Sequence, residues 1–229
     1  GERIVDKCKR LAAHLLEVSP ADVEYEPGQF RVGGTDRTIE FWEVAHMAYR
    51  GANYPEMGFD LGLDETVRFD VNADTFPTGM QLAKVEVDIE TGKVNLTGYW
   101  TVNDCGTLIN PLIVDGQIHG GLVQSIGPAL FEQMVYDVEG QLITGTFVDY
   151  AMPKADSFPW FDVAHLQTPS PTNALGVKGV GETSGCGPLA AIGNAIVNAL
   201  WDLGVRHLNA PYTSMKVWRA IRDARITHG

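Results

Sequence analysis

Cysteine is scarce: Cys8, Cys105 and Cys186 are the only three in 229 residues, and they lie far apart with no C-x-x-C spacing. That excludes a disulfide framework and a cysteine-based zinc site. All three are expected to be reduced thiols, with Cys186 set apart because it precedes an expected helix start, where a thiol becomes more acidic. Long apolar runs are missing as well. Nothing approaches the roughly 18 to 20 residues of a membrane span, and the start carries no basic-then-apolar leader, so no span is expected and a cytoplasmic setting is. Positive charge is in short supply: 17 Lys plus Arg face 29 Asp plus Glu, a net charge of -12. Such a balance argues against non-specific binding to nucleic acid or anionic membrane. The six histidines show no metal-ligand spacing, so no side-chain metal site is expected.

Glycine is plentiful, and it is concentrated. Residues 176–188 read G-V-K-G-V-G-E-T-S-G-C-G-P, five glycines around one lysine and one glutamate. A run this dense opposes order unless the backbone needs positive φ or close approach by another group. Around it the chain shows clear periodicities. Ile4, Cys8, Leu11, Leu15 and Val18 keep helical spacing up to Ser19-Pro20, V-E-Y-E-P-G-Q-F-R-V predicts a hairpin at Pro27-Gly28, and Thr38–Tyr49 predicts a short helix. Residues 50–65 are turn-rich. Alternation from Ala83 to Trp100 predicts two strands joined at Thr91-Gly92. Asn110-Pro111 opens a helix with Val114, Ile118, Leu122 and Ile126 on one stripe, and it carries Gly116, Gly120, Gly121 and Gly127. A hairpin across Gly140 (134–147), a proline-rich connection (153–171), a helix from Gly187-Pro188 to about Leu203 with Gly204 as its stop, and a last helix at 213–221 complete the reading. The five tryptophans are expected to pack. The sum is an α+β fold with mixed and antiparallel strands, divided as 1–75 and 76–229.

The glycine loop fits none of the common phosphate or nucleophile motifs. It lacks the Gly-Lys-Ser/Thr of a nucleotide P-loop, its G-x-G-x-x-x-G is one residue too long for a dinucleotide fingerprint, and G-E-T-S-G misplaces the serine of a nucleophile elbow. What remains is a loop entering a helix, where free N–H groups favour an anion. Glu182 there has two readings: a base in a dry pocket, or an ordinary residue that caps the next helix or pairs with Lys178.

Three segments together resemble the molybdenum hydroxylase family, which includes xanthine dehydrogenase, aldehyde oxidoreductase and aerobic carbon monoxide dehydrogenase. They are D-C-G-T-L-I-N-P with D-G-Q-I-H-G-G-L, then T-P-S-P-T-N with G-V-K-G-V-G-E, then A-P-Y-T-S-M-K-V-W-R-A-I. Their order is similar to the C-terminal part of that family's molybdopterin-binding large subunit, and the T-P-S-P form is closest to the carbon monoxide dehydrogenase-like branch. The resemblance implies that Glu182 is the base beside molybdenum, in a nearly dry site. It implies that Gln117, with Gly116, hydrogen-bonds the cofactor, and that Lys178, Gly179, Val180 and Gly181 line it through their backbones. The implied cofactor is molybdopterin in its cytosine dinucleotide form, with [2Fe–2S] and FAD on partner chains or domains. The implied partners are the remaining portion of the large subunit, the iron–sulfur and FAD subunits and a small substrate (aldehyde, N-heterocycle, purine or CO), with the assembly paired as a dimer. The family's N-terminal portion has no counterpart here, so residues 1–75 are expected to continue a missing upstream portion, and the chain alone is expected to be inactive. A non-catalytic scaffold and an anion-binding module stay open beside this reading.

Overall fold

A computed structural model describes residues 1–50, 62–70 and 73–228, which fall into two compact units, Gly1–Asp70 and Val71–Gly229. The turn-rich stretch read at 50–65 lies mostly outside the described residues.

The first unit opens with helix α1 (Glu2–Leu15), whose Cys8, Leu11, Ala12 and Ala13 are buried. The helix stops three residues before the expected Val18. The Glu17 N–H donates to the His14 carbonyl and the Val18 N–H to the Ala13 carbonyl, while Glu17 takes φ 55°. This is a Schellman stop with glutamate where glycine is preferred. Glu17→Gly is therefore expected to stabilise this unit by about 1 kcal/mol, because a left-handed residue with a Cβ costs about that much; a lowered urea midpoint would contradict it.

Strands β1 (Val23–Glu26) and β2 (Gln29–Val32) form the expected hairpin, with Gly28 at φ 95° in its turn. The next segment departs from expectation. Thr38–Glu40 is strand β3, paired with β2, and helix α2 spans only Phe41–Ala48. Glu40 and Glu43 form a capping box that fixes the helix start at Phe41, leaving Thr38 and Ile39, both β-branched, to extend the sheet. Phe30 and Val44, both without exposed surface, join Cys8 and Leu11 in this unit's core.

In the second unit β4 (Thr78–Val87) and β5 (Val94–Asp104) pair antiparallel. Gly92 holds φ 71° in their turn, and a Cβ there would lie 2.2 Å from the Ser214 carbonyl oxygen. Helix α3 (Pro111–Leu130) begins as expected: Asn110 Oδ1 accepts from the Ile113 N–H, and Val114, Ile118, Leu122 and Ile126 are all buried. Helix α4 (Pro188–Ala199) packs beside α3 and along β4. A short 3-10 turn follows, and Gly204 at φ 89° ends it. Helix α5 (Ser214–His228) runs past the expected Ile221, burying Val217 and Ile221.

Three expectations fail here. The hairpin at 134–147 is reduced to a single bridge, Tyr136 with Leu142, around Gly140. Met134, Tyr136, Val138 and Ile143 are all exposed, and two short strands without a face to bury do not persist. Conversely, the proline-rich connection contains strand β6 (Phe161–Leu166), parallel to β5, so the sheet β4-β5-β6 is mixed. Trp42, Trp100, Trp160 and Trp201 are exposed rather than packed inside; the Arg206 guanidinium covers the Trp201 ring at 4.0 Å. Among the described residues no helix is long and apolar enough to cross a membrane.

Candidate functional site

The C-terminal end of β5 and the glycine loop are tied together by one carboxylate. Asp104 Oδ1 accepts from the Gly106 N–H at 2.9 Å and the Thr168 N–H at 3.1 Å, and pairs with Lys178 Nζ at 3.2 Å. Hydrogen bonds from Thr168 and then from the Gly106 N–H hold its carboxyl well below the usual carboxylate range, and Lys178 adds to this. The Lys178 N–H donates to the Cys105 carbonyl, so the chain leaves β5 and re-enters at Lys178 as a short antiparallel bridge. Gly106 permits it: a Cβ there would sit 2.2 Å from the Gly176 oxygen.

From Lys178 the loop runs over α3 and against β4. Val180 packs on the core. The Thr183 hydroxyl donates to the Gly179 carbonyl at 2.9 Å. Ser184 has no exposed surface; its hydroxyl donates to the Ile118 carbonyl on α3, and its own carbonyl accepts from Gln81 Nε2 on β4 at 3.0 Å. The Ser125 hydroxyl donates to the Gly185 carbonyl. Gly121 makes the Ser184 contact feasible, since a Cβ on it would lie 2.4 Å from the serine oxygen. The glycines of α3 thus divide into two kinds. Gly121 and Gly127 have neighbours within this chain, whereas a Cβ on Gly116 or Gly120 would meet none of the described residues within 4 Å.

Beside this loop lies a cleft of about 800 Å³. Gly79, Gln81, Gly179, Gly181, Glu182 and Asn194 contribute to its lining, as does Cys186, an exposed free thiol. Among the described residues Glu182 is its one charged lining residue, and no lysine or arginine lines it. Gln117 is exposed on α3 with its Oε1 4.0 Å from where a Cβ of Gly181 would be, so the helix and the loop meet there. The sequence-derived residues therefore gather unevenly. Gly179, Gly181 and Glu182 line the cleft and Gln117 borders Gly181, but the Lys178 side chain turns to Asp104, Val180 enters the core, and Gly116 faces open space.

Both ordinary explanations of Glu182 fail. Helix α4 has Gly187 as its N-cap with no side-chain capping bond, and Lys178 is taken by Asp104. Glu182 is exposed, so the described residues do not dry it. The structure places no group of three metal-ligating side chains together among the described residues.

The model of the molybdopterin cofactor-binding domain matches residues 1–159, more than half of the chain. The chain belongs to that family. It is 36% identical over 226 residues to the carbon monoxide dehydrogenase large chain of Hydrogenophaga pseudoflava, covering 99% of this chain and 28% of the relative. It is 40% identical over 220 residues to the nicotine 6-hydroxylase large subunit of Paenarthrobacter nicotinovorans, covering 96% of this chain and 27% of that one. Its fold matches reconstituted CO dehydrogenase from Oligotropha carboxidovorans with a TM-score of 0.87 at 31% identity, over 99% of this chain and 28% of that structure. The chain thus spans just over a quarter of the length of these relatives. The resemblance to molybdenum hydroxylase large subunits stands, as does the α+β fold read from the sequence periodicities. The domain match ends before the 176–188 loop, which the longer alignments include.

Four side chains that hold the site were not singled out in the sequence: Gln81, Asp104, Ser125 and Ser184. Asp104 and Ser184 do lie inside quoted motifs, but their partners are 74 and 66 or more positions away in number, at Lys178 and Ile118. Only tertiary structure supplies that pairing.

Proposed function

We propose that this chain is the C-terminal molybdopterin-binding part of a molybdenum hydroxylase large subunit, with Glu182 as the base. The observation that carries this reading is that Glu182 lines a roomy cleft with neither a capping duty nor an ion-pair partner among the described residues. Such a carboxylate is available to take a proton from a group held in the cleft.

The residues fit a bulky, planar cofactor. A helix-interior glycine costs about 1 kcal/mol relative to alanine, and Gly116 and Gly120 carry that cost with no neighbour among the described residues to explain it. Gly179 is equally open. Gly116 and Gly120 lie on one flank of α3 beside Gln117 and leave bare backbone there, where a pterin can come close. Gln117 would donate an amide N–H to the cofactor, and the backbone N–H groups of Gly179, Val180 and Gly181 would face its acceptors. When bound, the molybdenum cofactor would supply the centre that takes two electrons from substrate, with water as the oxygen source. Glu182 accepts the proton at its carboxylate oxygen. The exposed carboxylate must then be dried by groups outside this chain, namely the cofactor and the remaining portion of the large subunit. We take the cofactor to be the cytosine dinucleotide form, electrons to leave through [2Fe–2S] and FAD on partner chains, and the complete assembly to be a dimer. The relatives' names span carbon monoxide and nicotine. An aldehyde, N-heterocycle, purine or CO as the substrate here is a choice made by residues on the other wall.

Gly116→Ala and Gly120→Ala test the fit with opposite signs. Each is expected to stabilise this chain by about 1 kcal/mol in urea unfolding, since an alanine meets no neighbour. In the complete large subunit each is expected to lower molybdenum content. A variant that gains stability and keeps its full complement of molybdenum contradicts the placement of the cofactor against α3.

A further inference from the structure

Gln81 touches the cleft, the glycine loop and the buried core at once. It stands on β4, half-buried, and lines the cleft beside Glu182. Tyr99 is fully buried, and its hydroxyl donates to Gln81 Oε1 at 2.5 Å. Burial pushes the phenol's pKa upward, so that hydroxyl keeps its proton as a donor. Gln81 Nε2 donates to the Ser184 carbonyl at 3.0 Å. Because a carbonyl can only accept, this bond decides which end of the amide is nitrogen. The amide is further clamped by Gly187, where a Cβ would lie 2.3 Å from Gln81 Cδ and Oε1.

A primary amide has two N–H groups, and one is spent on Ser184. The second has no partner among the described residues, on a side chain held by bonds at both its amide atoms in a cleft whose described lining has no basic residue. We propose that Gln81 is a binding residue of this cleft, its second amide N–H donating to an acceptor oxygen or ring nitrogen of the bound molybdopterin while the first holds the Glu182 loop in place. This rests on the proposed function above. It adds a neutral donor on the β4 side, across the loop from Gln117, in a cleft whose described lining has no lysine or arginine.

The test uses the complete large subunit and two readouts besides turnover: molybdenum and pterin content per chain after dialysis, and hydrogen exchange of the 182–187 amides. Gln81→Met keeps the length and removes both donors. Gln81→Glu keeps the acceptor for Tyr99 but has no N–H and adds a charge. Ser125→Ala loosens the same loop from the α3 side and leaves Gln81 intact, so it reports what loop mobility alone does. The expected result is that both Gln81 variants speed exchange about as much as Ser125→Ala, yet retain roughly tenfold less cofactor than it does, about one hydrogen bond's worth. Cofactor retention equal to that of Ser125→Ala at matched exchange overturns the ligand contact and leaves the proposed function standing. A wild-type subunit that holds no molybdenum in this cleft overturns both.

Discussion

Glu182→Gln in the complete enzyme is expected to lower turnover by about 10² to 10⁴-fold while leaving molybdenum content and the folded structure unchanged. Glutamine matches glutamate in size and in one acceptor oxygen, but it does not accept a proton at neutral pH. Structural disturbance should be small, because Glu182 is exposed and its side chain makes no hydrogen bond or ion pair among the described residues. The rate is thus predicted to fall without a matching fall in substrate binding, the pattern of an interaction made only in the transition state. Glu182→Asp, which keeps the carboxylate but withdraws it by one methylene, should recover part of the loss. If Glu182→Gln retains wild-type turnover, the carboxylate is a bystander. If it loses molybdenum together with activity, the residue holds the cofactor rather than moving a proton.

Asp104→Asn is expected to be the most damaging change to the fold of the second unit, costing about 3 kcal/mol and lowering the melting temperature by roughly 5–10 °C. The carboxylate carries three bonds at once, from Gly106, Thr168 and Lys178, and its removal leaves Lys178, only 14% exposed, without its counter-charge. Adding Lys178→Met should recover part of the cost, because the unpaired ammonium is then gone, and the double-mutant cycle measures the coupling. The acid dependence follows from the direction of the shift. Folding lowers the Asp104 pKa, so the unfolded chain binds this proton more tightly. The stabilisation is fully present above the unfolded carboxyl range and is lost progressively as pH falls below about 4. Asp104→Asn should therefore flatten the acid limb of the stability curve. An acid limb as steep in the variant as in the parent would show that other carboxylates govern it.

The elements read most easily from the sequence are those whose signals are local. The Asn110 cap, the stripe from Val114 to Ile126, the Gly187-Pro188 start of α4 and the Gly204 stop all act within a few residues, and the structure has each of them. Strand β6 was hidden because its partner β5 lies about sixty positions away and prolines flank it, so the short F-D-V-A-H-L alternation carried too little weight. The false hairpin at 134–147 had the right turn, at Gly140, but no face to bury. The motif residues of the site were visible as a set, yet their wiring was not. Nothing near Lys178 in sequence says that it belongs to Asp104, nor does anything near Ser184 point to Gln81. The expectation of a dry Glu182 also outran this chain, because dryness depends on what covers the cleft as well as on its near wall.

The proposed position of the molybdenum is the cleft that β4, the 179–187 loop and α4 line beside Glu182, with Gln117 of α3 bordering it at Gly181. Anomalous scattering at the molybdenum edge from crystals of the complete large subunit measures this directly. The predicted result is a single strong peak in that cleft, on the side that Glu182 lines. A peak on any other surface of this unit, or one with Glu182 turned away from it, would contradict the account.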